Sequence, residues 1–95
     1  MKREILTAEE MTKRLKTLNS WTADDGKLKK RLEFKNFAES LDFVNSVGAI
    51  AETANHHPDI TFGWGYADLA TTTHDRGGVT EVDFDLAAKI DQIPD

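Results

Sequence analysis

The spacing of apolar residues along the chain predicts three helices. The first is expected over about 8–18, where Thr7 and Glu10 have the spacing of a capping box that begins a helix. The second is expected to begin after Asn36, because apolar residues then recur at helical intervals for nearly five turns. Pro58 disfavours helical geometry at His57, so this helix should end at or before the paired histidines.

Alternating apolar and polar residues predict strands between the helices. A first strand is expected near 27–34, with one mostly apolar face formed by Leu28, Lys30, Leu32 and Phe34. Two further alternating runs, at 60–64 and 67–73, flank Gly65 and predict a hairpin. Thr80 and Asp83 form a third capping pair, after which a last helix should continue up to Pro94.

These elements predict an α+β fold in which three helices pack on one face of a small antiparallel sheet. Helices on one side of such a sheet bury the apolar face of each layer. The unpaired sheet edges and the broad apolar stripe of the second helix favour a homo-oligomer. A single broad core face explains the same stripe about as well.

Composition narrows the classes of function. The 95 residues fit a single domain spanning 1–95, and the net charge of -5 makes nucleic acid an unexpected direct partner. Cysteine is absent, which excludes disulfide, thiolate-metal and cysteine-nucleophile chemistry. No apolar stretch suits a secretory signal or a membrane span, so no membrane partner is expected and the cytoplasm is the expected location.

All three histidines fall within nineteen residues, at positions 56, 57 and 74. An imidazole exchanges a proton near neutral pH, so a shared cleft lined by these rings would suit acid/base catalysis. His56 and His57 come at a helix-to-strand junction, and His74 follows the second hairpin strand. The hairpin should make these two places neighbours.

Two carboxylates and one tryptophan are candidates to complete such a site. Asp83 is expected to cap the last helix, and it is also close enough in sequence to accept a hydrogen bond from His74. Glu52 shares a helical face with His56, although a solvated i,i+4 pair explains this spacing somewhat better. Trp64 is expected in the core or at an edge unless the histidines line a pocket, where it would form a flat wall.

Metal binding is the competing chemistry, because three imidazoles and a water form a catalytic zinc site. Consecutive residues of an extended segment point to opposite faces, so His56 and His57 cannot easily converge on one ion. No metal site is therefore expected.

The spacing of these candidates resembles a known family signature. The pattern, over thirty-two residues, is similar to that of the pterin-4a-carbinolamine dehydratases: Glu52, three residues, His56-His57-Pro58, five residues, Trp64, nine residues, His74, eight residues and Asp83. The resemblance implies a four-stranded antiparallel sheet, with the additional strand around Ser20 to Ala23.

The resemblance also implies an activity, the dehydration of 4a-hydroxytetrahydropterin to quinonoid dihydropterin, which recycles a pterin cofactor. It implies no cofactor for the enzyme itself, and homodimers or homotetramers. The implied residues are a catalytic set in which Asp83 orients His74, and a substrate-binding set: His56, His57, His74 and Asp83; Glu52, Pro58 and Trp64.

Two points qualify this assignment. Thr71 stands where the family's hairpin strand usually carries an aliphatic residue, so locally looser core packing is expected.

The alternative function is a protein–protein interaction module, in which a helical face binds a partner and the histidines are vestigial.

Overall fold

The computed structural model describes residues 1–94, so Asp95, the last residue of the predicted domain, lies outside the described part. No helix within residues 1–94 has the length and apolar character needed to cross a bilayer. The elements follow in this order: α1 (Ala8–Leu15), β1 (Thr22–Asp24), β2 (Lys27–Glu33), α2 (Phe37–Ala54), β3 (Asp59–Gly63), β4 (Tyr66–Thr71), a short 3₁₀ helix (His74–Arg76) and α3 (Glu81–Ile90).

The four strands form one antiparallel sheet in the order β1-β2-β4-β3. Alternate residues of the strands face the helices and form the core together with them. The core-facing strand residues include Leu28, Ile60, Phe62, Ala67 and Leu69. The predicted α+β class with a four-stranded sheet is therefore confirmed, and β1 is the additional strand that the family resemblance implied.

Capping interactions begin the helices where their sequence spacing predicted. At α1 the Thr7 hydroxyl accepts from Glu10 N–H while the Glu10 carboxylate accepts from Thr7 N–H. Thr80 and Asp83 make the same reciprocal pair at α3. At α2 the cap differs, because the Glu39 carboxylate accepts from the preceding Lys35 N–H. The capped starts at Thr7, Asn36 and Thr80 therefore agree with the sequence expectation.

The first and last helices are shorter than predicted. Helix α1 ends at Leu15 rather than near residue 18, and α3 ends at Ile90. Beyond both ends the chain continues as turns with backbone hydrogen bonds between residues three apart. Examples are Leu18 N–H to Leu15 C=O and Ile93 N–H to Ile90 C=O. These turns still place Leu18 and Ile93 against the core, so the apolar spacing extends past each helix.

The helix-facing side of β2 carries a nearly buried ion pair. The Lys30 ammonium lies 2.9 Å from Asp91 Oδ1, and both side chains are about nine-tenths buried. Asp91 also accepts from the Trp21 indole N–H at 2.8 Å and from Asn19 N–H at 2.9 Å. The end of α3 is therefore joined to β2 and to the segment before β1.

A second carboxylate ties the N-terminus to α3. Glu81 accepts from Lys2 N–H and from the Arg14 guanidinium, and these interactions hold its pKa below the ordinary value. A lowered folded-state pKa stabilises the fold above the unfolded pKa, and this stabilisation is lost as the pH falls through the folded value. The Glu10 pKa is lowered in the same direction, mainly by its bond to the Thr7 backbone.

Candidate functional site

The turn after α2 positions the paired histidines. Asn55 adopts the left-handed conformation, with φ 52°, and its N–H donates to Glu52 C=O. Asparagine tolerates this conformation better than most residues, which makes it a suitable end to a helix. His56 N–H still donates to Ala51 C=O at 3.2 Å, and the chain then extends through His57 into β3.

His56 lies against a buried carboxylate. Its Nε2 is 2.7 Å from Asp83 Oδ1, its side chain is 12% exposed, and that of Asp83 is fully buried. Helix α3 packs against α2, so the start of α3 meets the end of α2. The prediction that Asp83 orients His74 is therefore wrong, because the carboxylate contacts His56 instead.

Asp83 accepts hydrogen bonds at both carboxylate oxygens. Besides His56, Oδ1 accepts from the Thr71 hydroxyl at 2.6 Å. The other oxygen, Oδ2, accepts from the Thr73 hydroxyl at 2.8 Å and from Thr80 N–H at 3.0 Å. The predicted capping role and a histidine contact thus coexist in one side chain.

Counting protons assigns the tautomer of His56. The Thr71 and Thr73 hydroxyls and the Thr80 N–H donate to Asp83, so three of its four acceptor positions are occupied by donors. An ionised carboxylate only accepts, so with Asp83 ionised the remaining contact is a donation from His56. The Nε2 of His56 therefore carries the hydrogen, and Nδ1 is the nitrogen left for other chemistry.

His57 pairs with the other carboxylate. Its Nε2 makes a short hydrogen bond to Glu52 Oε2, and both side chains are more than half exposed. The expected pairing of Glu52 with His56 is therefore wrong. The helix ends at Ala54, and the left-handed Asn55 rotates the chain so that the fifth residue after Glu52, rather than the fourth, meets its carboxylate.

His74 begins the 3₁₀ helix and is exposed, with no hydrogen bond to its ring from any described residue. Thr73, the residue directly before it, is bonded to Asp83. The hairpin register pairs Asp59 with Ala70, so the chain before β3 and the chain after β4 leave the sheet at the same end. The segment that carries His56 and His57 therefore lies near the segment that carries His74, as the hairpin predicted.

Pro58 and Trp64 occupy opposite ends of β3. Pro58 is half-buried beside the histidines, whereas Trp64 lies in the β3–β4 turn and is 72% exposed. Six residue steps separate them, which is about 20 Å at the rise of an extended strand. Within one chain, Trp64 is therefore not brought together with the histidines.

Two grooves of the single chain lie away from the histidines. A groove of about 770 Å³ lies near the end of β2 and the start of α2, and another of about 550 Å³ lies on the open face of the sheet. Neither groove is lined by a histidine. Across residues 1–94, no three histidine, aspartate or glutamate side chains are grouped so that they could hold one metal ion.

Three hydroxyl residues of the site were missed by sequence reasoning. Thr71, Thr73 and Thr80 are all at most 1% exposed, and the hydroxyls of Thr73 and Thr80 lie 2.8 Å apart. A signal was present, because Thr71 and Thr73 continue the core-facing alternation of Leu69. A hydroxyl that the pattern places in the core needs a hydrogen-bond partner, and the nearby capping carboxylate of Asp83 could have been predicted as that partner.

The comparisons with known proteins agree on one family. The family model described as pterin 4 alpha carbinolamine dehydratase matches residues 4–93. A relative from Rubrobacter xylanophilus is 47% identical over 93% of this chain and 83% of its own length. One from a Picosynechococcus strain is 44% identical over 93% and 96%. Both carry the provisional name of a pterin-4-alpha-carbinolamine dehydratase.

Solved structures extend this likeness to the fold. A Brucella melitensis protein described as a transcriptional coactivator/pterin dehydratase superposes with a TM-score of 0.86 and 30% identity, over 92% of this chain and 95% of the other. A pterin dehydratase-like protein described as a RuBisCO assembly factor in the alpha-carboxysome gives a TM-score of 0.66 and 26% identity, over 77% and 87%. The chain therefore belongs to the pterin-4-alpha-carbinolamine dehydratase family.

Proposed function

We propose that the protein, as one domain over residues 1–95 acting in the cytoplasm, dehydrates 4a-hydroxytetrahydropterin to quinonoid dihydropterin. The C4a–O bond breaks, an acid protonates the departing hydroxyl, and a base removes the proton of a ring nitrogen, so that one water leaves overall. The reaction needs only proton transfers, which imidazoles perform near neutral pH. No cofactor, metal or covalent intermediate is required.

The buried pair of His56 and Asp83 is the observation that carries this proposal. Asp83 holds Nε2–H of His56 at 2.7 Å and thereby leaves Nδ1 as the proton-accepting nitrogen of the neutral ring. A carboxylate that fixes the tautomer and orientation of a histidine is a recurring device of acid/base catalysis. The fold therefore provides one imidazole prepared for proton transfer.

The other candidate residues lie on segments next to this pair in the chain or in the sheet. Glu52 orients His57 in the same way, but at an exposed position. His74 follows Thr73, which shares the Asp83 carboxylate, and its ring is free of bonds to the described residues. We assign the acid and base roles to the set His56, His57 and His74, with Glu52 and Pro58 bordering the substrate.

Replacing His57 or His74 by Ala is expected to lower kcat for the dehydration by about 100-fold each, the effect of losing acid/base assistance. The rate is measured by the absorbance change of freshly generated 4a-carbinolamine above its spontaneous dehydration. Both side chains are exposed, so the thermal midpoint should remain near that of the parent.

Two controls accompany these variants. Asn45→Ala removes an exposed side chain from α2 and should leave the rate unchanged. A chelator should also leave the parent rate unchanged. Parent-like rates in both histidine variants would reject the proposed activity, and loss of the rate on chelation would favour the metal mechanism.

We further propose that Trp64 reaches the substrate only in an oligomer. The outer edge of β3 is unpaired among the described residues, and an exposed edge is commonly covered by another strand. If two copies of β3 pair antiparallel about Thr61, Gly63 of one copy lies opposite Asp59 of the other. The Trp64 of the second copy would then lie beside Pro58 and the histidines.

Thr61→Lys is expected to shift the protein to a monomer and to raise KM, because the pairing places two like charges opposite each other. Sedimentation velocity measures the shift. Thr22→Lys, on the short β1 edge, is the matched control and should leave the assembly intact. A parent protein that sediments as a monomer, or a Thr61→Lys variant with unchanged assembly, would contradict this arrangement.

The second candidate function is a protein–protein interaction module with little or no enzymatic activity. Its supporting observation is an exposed apolar surface at the start of α2, where Phe37 is 45% and Leu41 38% exposed. The structural neighbour described as a RuBisCO assembly factor shows that a protein of this fold is credited with such a role. Parent-like rates in the histidine variants would favour this candidate.

A further inference from the structure

Thr71 is a buried polar residue on the core face of the sheet. It ends β4, pairs with Leu28 of β2 and is 1% exposed. The expectation was a loosened core at this position. Its hydroxyl instead has a partner, since it donates to Asp83 Oδ1 at 2.6 Å. This hydroxyl therefore has a specific contact that an aliphatic side chain would not make.

The two oxygens of Asp83 have different sets of partners. Oδ2 is held by Thr73 and by the Thr80 backbone, which belong to the cap of α3. Oδ1 has two partners among the described residues, Nε2 of His56 and the hydroxyl of Thr71. Thr71 is thus the one group besides the histidine that fixes the oxygen facing it.

We propose that Thr71 is a positioning residue for His56, acting through Asp83. This inference rests on the proposed dehydratase function. The Thr71 hydroxyl donates to Oδ1, and Thr73 and the Thr80 backbone donate to Oδ2. Each oxygen of Asp83 therefore keeps a donor when His56 moves during proton transfer, and the carboxylate plane stays fixed. Without the Thr71 hydroxyl, Oδ1 would have the imidazole as its one partner, and the carboxylate and the ring could rotate together away from the reacting orientation.

The threonine is also matched to this task in shape. Thr71 is 1% exposed and its hydroxyl contacts the carboxylate, so valine nearly preserves the volume and removes one hydrogen bond. Serine preserves the hydrogen bond and removes the methyl group. These two substitutions separate the packing of the site from its orientation of Asp83.

Thr71→Val is expected to lower kcat about 10-fold with KM changed less than about twofold, because a misplaced reacting group slows the chemical step more than it weakens binding. Thr71→Ser should recover at least a third of the parent kcat. Thr72→Val is the matched control, because the neighbouring Thr72 hydroxyl donates to Gly26 C=O rather than to Asp83. Its kcat should equal that of the parent.

A spectroscopic measurement separates this inference from the function on which it rests. In ¹⁵N NMR spectra of the parent, His56 should show a single tautomer with a slowly exchanging Nε2 proton. Thr71→Val should broaden these signals and accelerate the exchange, while Thr72→Val should not. If the parent has no dehydratase activity, the proposed function fails, but these spectra still test the positioning of His56.

Two results would overturn the inference: a Thr71→Val protein with parent kcat and sharp parent-like ring signals, or one whose loss of kcat is not recovered in Thr71→Ser. If the valine variant does not fold, an NMR measurement on the parent protein tests the inference instead. Its Thr71 hydroxyl proton should be protected from exchange and give a nuclear Overhauser effect to the Nε2 proton of His56. Absence of that effect would also overturn the inference.

Discussion

Asp83→Asn is expected to lower kcat of the proposed dehydration by about 10³-fold and to destabilise the fold by about 3 kcal/mol. Four donors converge on this fully buried carboxylate, and an asparagine oxygen accepts from two of them at most. In either orientation of the amide, two buried donors lose their acceptor. If the amide NH₂ faces His56, Nε2 must become the acceptor and Nδ1 takes the proton.

Single-turnover rates and thermal unfolding of the same samples measure both effects. Asp85→Asn is the control, because Asp85 lies on the same helix in a half-exposed pair with Lys89. It should change stability by less than about 0.5 kcal/mol and leave kcat unaltered. An Asp83→Asn protein with the parent rate would show that the tautomer of His56 is irrelevant to the reaction, and the proposed mechanism would then be abandoned.

Asp91→Ala is expected to destabilise the protein by about 3–5 kcal/mol, which lowers the midpoint of thermal unfolding by about 12 °C or more. The substitution leaves the Lys30 ammonium nearly buried without a counter-charge. It also removes the acceptor of the Trp21 indole and of Asn19 N–H. The Lys30 ammonium and the Trp21 indole N–H then lack a partner in a part of the core that water reaches poorly, whereas the exposed Asn19 N–H can bond to water.

A double variant tests the cause of this effect. Lys30→Met combined with Asp91→Ala should regain part of the lost stability, because the uncompensated charge is gone. At low temperature Asp91→Ala should retain the parent kcat, since Asp91 lies at the opposite end of α3 from Asp83. A double variant less stable than Asp91→Ala would show that the ion pair is not the source of the destabilisation.

Helix starts and the strand pattern were readable from the sequence because they depend on nearby residues. The capping pairs at Thr7 and Thr80 join residues three apart, and the apolar alternation of β3 and β4 is internal to each strand. Strand β1 lacked this signal, since three exposed residues are too few to alternate. It was expected from the family resemblance, which contributed what the pattern did not contain.

The sequence did not allow us to predict which histidine contacts which carboxylate. Closeness in sequence suggested His74 for Asp83 and His56 for Glu52, and both expectations were wrong. The first pairing depends on the packing of α3 against α2, and the second on a single left-handed residue, Asn55. Neither effect produces a periodic pattern.

The sequence by itself determined the three α-helices and the three longer strands, their order, the family to which the chain belongs and the residue types available for proton transfer. The tertiary structure decided which side chains meet, because His56 and Asp83 are 27 positions apart and Lys30 and Asp91 are 61 apart. It also placed Trp64 at the far end of β3. Local propensities act over a few residues, whereas these contacts arise when separate elements bury their apolar faces against each other.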